Sequence, residues 1–75
     1  MELPKDRTII VSDLSKRDGI GIEIYRENKL VIEIFRDDSE LTRTVTIFNK
    51  EIDLDLLEES IKIFKKEIPW EFIDL

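Results

Sequence analysis

The sequence predicts an α+β domain, an antiparallel β-meander of about four strands with one C-terminal α-helix packed on one face. Hydrophobic residues alternate with other residues between positions 19 and 48, which is the period of a half-buried strand. After Asp53 they recur at three- and four-residue spacing, which is the period of an amphipathic helix. The chain has 75 residues, enough for one modest core, so we expect a single small domain over residues 1–75.

The strand prediction covers residues 7–12, 19–26, 29–36 and 41–48. Side chains of a strand point alternately to opposite faces, so the residues of these segments separate into two sets. The aliphatic set is predicted to face the core and comprises Ile20, Ile22, Ile24, Leu30, Ile32, Ile34, Val45 and Ile47. The opposite set, here called the mixed face, comprises Glu23, Tyr25, Val31, Glu33, Phe35, Thr44, Thr46 and Phe48. In the first segment, Ile9 and Val11 share one face.

A three-residue loop at positions 26–28 is predicted between the second and third strands. Residues that pair across strands share a face, so we expect Ile24 to lie opposite Leu30 and Ile22 opposite Ile32. Asn28 then occupies the left-handed position of the loop, a conformation that asparagine tolerates. The hydrophobic pattern and the turn chemistry favour the same register.

The two glycines of the chain, Gly19 and Gly21, fall in the second strand segment. Glycine within a strand marks a bulge or a close approach of another backbone. We expect both to relieve a twisted strand, with a ligand site as the alternative. Residues 13–18 before them are predicted to form a polar loop, with room for a helical turn around Leu14.

Asp53 is predicted to be the N-cap of a helix that starts at Leu54, because its carboxylate can accept a backbone N–H left unpaired at a helix start. Pro69 should end that helix close to Ile68. The apolar stripe predicted to lie across the sheet comprises Leu54, Leu57, Ile61, Phe64 and Ile68, widened by Leu56 and Ile63. The residues expected to be buried together are Ile22, Ile32, Val45, Leu57, Ile61 and Phe64. The apolar tail, residues 70–75, is expected to fold back over one end of the core, with an added edge strand or a subunit contact as alternatives.

The formal charge of −6 is unevenly placed along the chain. Residues 1–36 hold seven acids and seven bases, whereas residues 37–60 hold eight acids against Arg43 and Lys50. Nucleic acid is a poor partner for such a chain, because binding it requires clustered lysine and arginine, so we expect none. A basic protein surface is favoured instead. The alternative is that acids at turns and helix starts serve solubility alone.

The composition argues against an enzyme. There is no histidine and no cysteine, so the usual general base near neutral pH and the thiolate nucleophile are both missing. Glu23 and Glu33 fall on neighbouring strands, but strand-face glutamates are usually solvated. Acids at positions 37–40 and 53–55 lack calcium-loop spacing, so we expect no metal and no cofactor. The lack of cysteine fits a reducing compartment, and no stretch is apolar enough to cross a membrane, so we expect a cytoplasmic protein.

The mixed face is the predicted site of partner binding. Aromatic side chains among acidic neighbours supply apolar anchors together with steering charge. The residues predicted to contact a partner are Glu23, Tyr25, Glu33, Phe35, Asp37, Asp38 and Phe48. The alternative is that the first strand, the tail or a second copy of the chain covers this face.

Three segments carry a resemblance to a known type of protein: Arg17-Asp-Gly-Ile-Gly-Ile-Glu-Ile-Tyr, Glu33-Ile-Phe-Arg-Asp-Asp and Arg43-Thr-Val-Thr. With the closing helix, roughly residues 17–65 resemble small bacterial immunity-like proteins encoded beside polymorphic toxins. The resemblance implies neutralisation of a partner by direct binding, often with an acidic surface facing a basic nuclease, and it implies no particular site residues. Small acidic phage-encoded inhibitors of bacterial defence look much the same. A structural or oligomerisation module, such as a homodimer without an inhibitory role, is the competing class.

Overall fold

A computed structural model describes residues 4–14 and 17–73 of the chain, and it confirms the predicted α+β fold. Four strands form one antiparallel sheet in the order β1-β2-β3-β4, so that each strand pairs with its neighbours in sequence. The strands are β1 (Arg7–Asp13), β2 (Gly19–Arg26), β3 (Lys29–Asp37) and β4 (Thr42–Ile47). The C-terminal helix α1 (Leu54–Glu67) packs over β2 and β3, the two central strands.

The turn between β2 and β3 differs from the prediction. It has two central residues, Glu27 and Asn28, both at positive φ (52° and 65°), which is the backbone of a type I′ hairpin turn. Beyond the turn the register shifts, so that Ile24 pairs with Ile32 and Ile22 pairs with Ile34. The predicted pairings of Ile24 with Leu30 and of Ile22 with Ile32 are both wrong. The extra residue is Val31, which lies in a β-bulge.

The bulge explains why the face assignment survives the wrong register. A two-residue turn alone would have moved every β3 side chain to the opposite face, and one inserted residue moves them back. Val31 itself does not follow the alternation. It was predicted on the mixed face, but it is only 5% exposed and packs in the core beside Ile32.

The core lies between the central strands and the helix. Its buried members are Ile22, Ile24, Val31, Ile32, Ile34, Phe64 and Ile68, with Ile20, Ile52, Leu56, Ile61 and Ile63 packed partly buried against them. Val45 was predicted to join this core but is 46% exposed. The reason is that β4 is an edge strand and the helix covers only the two strands inside it. Leu57, also predicted in the core, is only half-buried.

The helix begins where the sequence predicts. Asp53 is its N-cap, and its Oδ1 accepts the Asp55 N–H at 2.8 Å. The buried face is rotated relative to the predicted stripe and is centred on Ser60, which is 0% exposed and donates its Oγ hydrogen bond to the Leu56 carbonyl at 2.7 Å. Leu54, predicted within the stripe, is 67% exposed.

The tail folds back over one end of the sheet, as expected for its first residues. Arg36 donates to the Pro69 carbonyl at 2.7 Å, and Asp38 accepts the Ile73 N–H at 3.1 Å. The Arg43 guanidinium lies 3.9 Å from the centroid of the Trp70 ring and donates to the Trp70 carbonyl at 2.7 Å. We call this end the Arg36 end. Residues 74–75 of the tail, and residues 15–16 of the predicted turn around Leu14, lie outside the described residues.

The other end of the sheet carries the start of the helix. The 14 residues of α1 make a helix about 21 Å long. Its last turn lies at the Arg36 end, so its first turn lies at the opposite end. Phe48 lies there too, because its N–H donates to the carbonyl of Val31 at 3.0 Å, near the beginning of β3. We call this the helix-start end.

Candidate functional site

The mixed face brings together most of the residues predicted to bind a partner. Glu23 lies directly opposite Glu33, and Gly21 directly opposite Phe35, across the β2–β3 pairing. Tyr25 extends the same face along β2. The helix lies on the other side of the sheet and does not cover these side chains.

Phe35 is covered within the chain, being only 1% exposed. On its outer side, the guanidinium of Arg17 lies 3.8 Å from the ring centroid, which is a cation–π contact. On its inner side the ring lies against Gly21, where an added Cβ would come within 2.9 Å of Phe35 Cδ2 and would collide with the Ile34 carbonyl oxygen. The glycine is therefore required by a close backbone approach and by the aromatic ring that packs in place of its missing side chain.

The two glutamates of the mixed face are bonded to neighbouring side chains, Glu33 to a cation and Glu23 to a hydroxyl. Arg17 binds Glu33 through two parallel hydrogen bonds of 2.7 and 3.1 Å, and this pairing raises the pKa of Arg17 above its ordinary value. The Tyr25 hydroxyl donates to Glu23 at 2.9 Å, which raises the pKa of the tyrosine. Arg7 stacks 4.3 Å from the Tyr25 ring centroid. A partner approaching this face would meet two arginines rather than bare aromatic rings.

Asp37 and Asp38 are also used inside the chain. The Asp37 carboxylate accepts hydrogen bonds from the Glu40 N–H, the Ser39 N–H and the Ser39 hydroxyl at 2.9–3.1 Å, which shapes the turn after β3. The Glu40 bond is the largest cause of a lowered pKa for Asp37. Asp38 is 8% exposed and pairs with the buried Arg36 through bonds of 2.9 and 3.1 Å. Neither carboxylate projects into solvent as a steering charge would.

Phe48 differs from the other six residues of the predicted site, because it alone is exposed, at 52%. It begins a run of chain, residues 48–59, that we call the acidic segment. Within it Leu54 is 67% exposed. The acids of the segment are all exposed, and they are Glu51, Asp53, Asp55, Glu58 and Glu59.

The sequence offers these acids as steering charge for a basic partner, but they are not among the residues predicted to contact it. The signal that could have selected them is local: five acids fall within nine residues, and only Asp53 stands in a capping position. Leu54 could not be selected in this way, because its spacing fits the apolar stripe of the helix equally well. Its exposure depends on which face of the helix is turned toward the sheet. That face is the one that carries the buried Ser60, and it leaves Leu54 in solvent.

Apolar cavities lie at the Arg36 end. One of about 280 Å³ is lined by Leu14, Ile20 and Ile73 beside the Arg36–Asp38 pair, and another of about 300 Å³ lies between β4 and the helix, beside Trp70. Within the described residues, every buried side-chain nitrogen or oxygen has a hydrogen-bond partner. Among the described residues, no group of three or more acidic side chains is placed so that it could hold a metal ion.

Two further observations bear on function. The helix of the described chain is too short and too polar to cross a membrane. No protein-family model, curated protein or solved structure matches the sequence or the fold. In the acidic segment two exposed apolar side chains, Phe48 and Leu54, occur together with five exposed acids.

Proposed function

We propose that this protein is a small acidic protein-binding module that neutralises a partner protein by direct binding, as an inhibitor or immunity-type protein does. The observation that supports the proposal is the acidic segment, in which the exposed Phe48 and Leu54 accompany five exposed carboxylates. The partner surface that fits it is basic and carries an apolar pocket. The absence of cysteine fits a reducing compartment, and we place the activity in the cytoplasm.

The two kinds of side chain have separate tasks in such a contact. Apolar anchors near the centre of an interface provide most of the affinity once water is excluded from them. Surrounding charges mainly increase the rate of association and select the partner. The acidic segment has both, and most of its acids are available, because Asp53 is the one that the helix uses as a cap.

The proposed contact surface differs from the predicted one in a defined way. Phe48 is common to both. Phe35 and Glu33 lie beneath Arg17. Asp37 and Asp38 are bonded within the chain. In this proposal these four residues stabilise the fold and do not contact the partner. The negative charge of the proposed surface is then that of the five exposed acids of the acidic segment.

The test begins with capture of the partner from the native host, using the parent protein as bait, and with its purification. The key variant, Glu51→Gln with Glu58→Gln and Glu59→Gln, removes three charges from the acidic segment. Its matched control, Glu40→Gln with Glu67→Gln and Glu71→Gln, removes three exposed charges from the Arg36 end. We expect the key variant to associate about tenfold more slowly than the control at low salt, and the difference to shrink as salt is added. Equal association rates for the two variants would contradict the proposed surface.

Inhibition is measured separately from binding. The activity of the purified partner should fall in proportion to added parent protein and should reach its minimum at equal stoichiometry. Phe48→Ala with Leu54→Ala should abolish this effect mainly by faster dissociation, since loss of anchors acts on the off-rate. A partner that binds tightly but keeps full activity would favour a structural module over an inhibitor.

A further inference from the structure

Strand β1 forms one edge of the sheet, and the helix does not reach it. An edge strand presents backbone N–H and C=O groups that can pair with another strand. Two aliphatic side chains of β1 are also exposed, Ile10 at 54% on the helix side and Ile9 at 38% on the mixed face. The edge is therefore suited to strand addition, and its sequence indicates which strand would be added.

We propose that β1 pairs with β1 of a second copy of this chain, antiparallel about a two-fold axis at Ile10, to form a continuous eight-stranded sheet. The inference does not rest on the proposed inhibitory function. The seven residues of β1 read Arg-Thr-Ile-Ile-Val-Ser-Asp. With Ile10 on the axis, Arg7 lies opposite Asp13 of the second copy and Thr8 lies opposite its Ser12. Ile9 lies opposite its Val11, and Ile10 lies opposite its own counterpart.

Every one of these pairs joins compatible side chains. Opposite charges, hydroxyl pairs and pairs of β-branched residues each stabilise an antiparallel contact when they lie directly across from one another. The strand is thus self-complementary over its whole length, with a cation at its first position and an acid at its last. It also carries no net charge, so the excess of acids elsewhere in the chain does not act directly at this contact.

Other registers lose this match. A shift of one residue would place the two copies' helices and core faces on opposite sides of the sheet, because the side-chain period is two. A shift of two residues puts Ile10 opposite Ser12 and Ile9 opposite Asp13, or, in the other direction, Thr8 opposite Ile10 and Arg7 opposite Val11. Only the register centred on Ile10 keeps aliphatic residues together and pairs the charges at the same time.

Strand β4, the other edge, provides a comparison within the same molecule. Its sequence is Thr-Arg-Thr-Val-Thr-Ile, and it contains no acid. Centred on Val45, it would place Arg43 opposite Ile47, and centred on Thr44 it would place Arg43 opposite Val45. Arg43 is engaged with Trp70, as Arg7 is with Asn28 and Asp13 is with Arg17, so the difference between the two edges lies in their sequences. Among the described residues no further strand pairs with either edge, and of the two edges only β1 matches itself.

The first test is the mass of the protein in solution as a function of concentration, against a monomer mass of 8.9 kDa. We expect the parent to approach twice that mass as its concentration rises. Ile10→Lys places two cations opposite each other on the axis and should raise the dissociation constant at least roughly tenfold. The matched control Val45→Lys makes the same change at the β4 edge and should associate like the parent. A parent that stays monomeric up to about 1 mM, or an Ile10→Lys variant that associates equally well, would overturn the inference.

The second test determines the register with single cysteines, which is practicable because the chain has none. Residues directly opposite in antiparallel strands have Cα atoms about 4.5–5.5 Å apart, within the range of a disulfide. Ile10→Cys should therefore cross-link to a covalent dimer under mild oxidation. Thr8→Cys should cross-link far more slowly, because Thr8 of the second copy would lie four residues along the strand, about 13 Å away. Val45→Cys measures random collision. Faster cross-linking through position 8 or 45 than through position 10 would overturn the proposed pairing.

Discussion

At the Arg36 end one ion pair, Arg36–Asp38, is buried and bonded to the tail, whereas at the helix-start end the acids of the acidic segment project into solvent beside two exposed apolar residues. Arg36 and Asp38 are 1% and 8% exposed, and between them they bind the tail through the Pro69 carbonyl and the Ile73 N–H. The acids of the acidic segment are all exposed. Carboxylates thus hold the fold in the buried pair at one end and are exposed to solvent in the acidic segment at the other.

The difference shows that the position of a charge along a chain does not determine its use. Asp37 ends strand β3 and accepts N–H groups of the turn that follows, and Asp38 pairs with Arg36 of the same strand. Asp55 and Glu58 lie on the outer side of a helix whose other face is buried. Removing charges from the two ends should therefore have opposite consequences, a loss of stability at one end and a loss of binding at the other.

The largest effect is expected from Arg36→Met. The substitution keeps an aliphatic side chain in place but leaves the Asp38 carboxylate buried without its cation, and breaking a buried ion pair in this way costs about 3–5 kcal/mol. In a domain this small, that is enough to unfold much of the protein. Urea denaturation followed by circular dichroism measures the change.

The control for Arg36→Met is Arg26→Met at the helix-start end. Arg26 lies 3.9 Å from Asp6, and the two side chains are 36% and 61% exposed. An exposed pair of this kind contributes about 0–1 kcal/mol. Equal losses from the two substitutions would mean that the buried pair does not organise the Arg36 end.

The next largest effect is expected at Asp53, the one acid of the acidic segment with a role in the fold. Asp53→Ala removes the acceptor for the Asp55 N–H and should lower the free energy of unfolding by about 0.5–2 kcal/mol. Asp53→Asn keeps an acceptor in the same place and should stay close to the parent. A comparable loss from both variants in the same denaturation experiment would point to the charge rather than to the cap.

A smaller effect, visible only in acid, is expected from Asp37. Hydrogen bonds from the Glu40 N–H and from Ser39 hold the pKa of Asp37 below its ordinary value near 3.8. A group whose pKa is lower in the folded state stabilises the fold above its unfolded pKa, and that contribution is lost as the pH falls through the folded value. Asp37→Asn can accept the same bonds without titrating. The parent should therefore lose stability more steeply than this variant below about pH 4, and parallel pH profiles would contradict the assignment.

Much of the fold could be predicted because it depends on local patterns. Alternation located the four strands, and an acceptor before an apolar stripe located the helix start at Asp53. The β2–β3 register could not be predicted, for two reasons. Glutamate is not a residue type that marks a left-handed turn position, although Glu27 occupies one. The bulge at Val31 also restores the alternation that the shorter turn would otherwise have shifted. The rotation of the helix about its axis depends on how it packs against the sheet. The sequence therefore could not predict that Ser60 is buried.

The candidate site was harder to predict than the fold, because covering a side chain requires residues that are distant in sequence. Phe35 is covered by Arg17 from a loop 18 positions earlier, and Arg36 binds a carbonyl 33 positions later. Alternation correctly placed Phe35 on the mixed face, but period alone cannot show which loop crosses that face. Phe48 follows the last strand, where no later element of the described chain crosses it, and its exposure agrees with the sequence expectation.

The smallest effect on stability is expected from the triple variant of the acidic segment, which should have a large effect on binding. Glu51→Gln with Glu58→Gln and Glu59→Gln should change the free energy of unfolding by no more than about 0.5 kcal/mol, because exposed side chains away from caps contribute little. Removing three like charges also reduces repulsion within the segment, so a slight gain in stability at low salt is consistent with the comparison between the two ends. The Glu40, Glu67 and Glu71 triple variant removes the same number of charges and serves as the reference in the same urea titration. A loss above about 1 kcal/mol in the acidic-segment variant alone would show that these glutamates stabilise the fold. The acidic segment would then resemble the buried Arg36–Asp38 pair in its role, and the contrast between the two ends would be wrong.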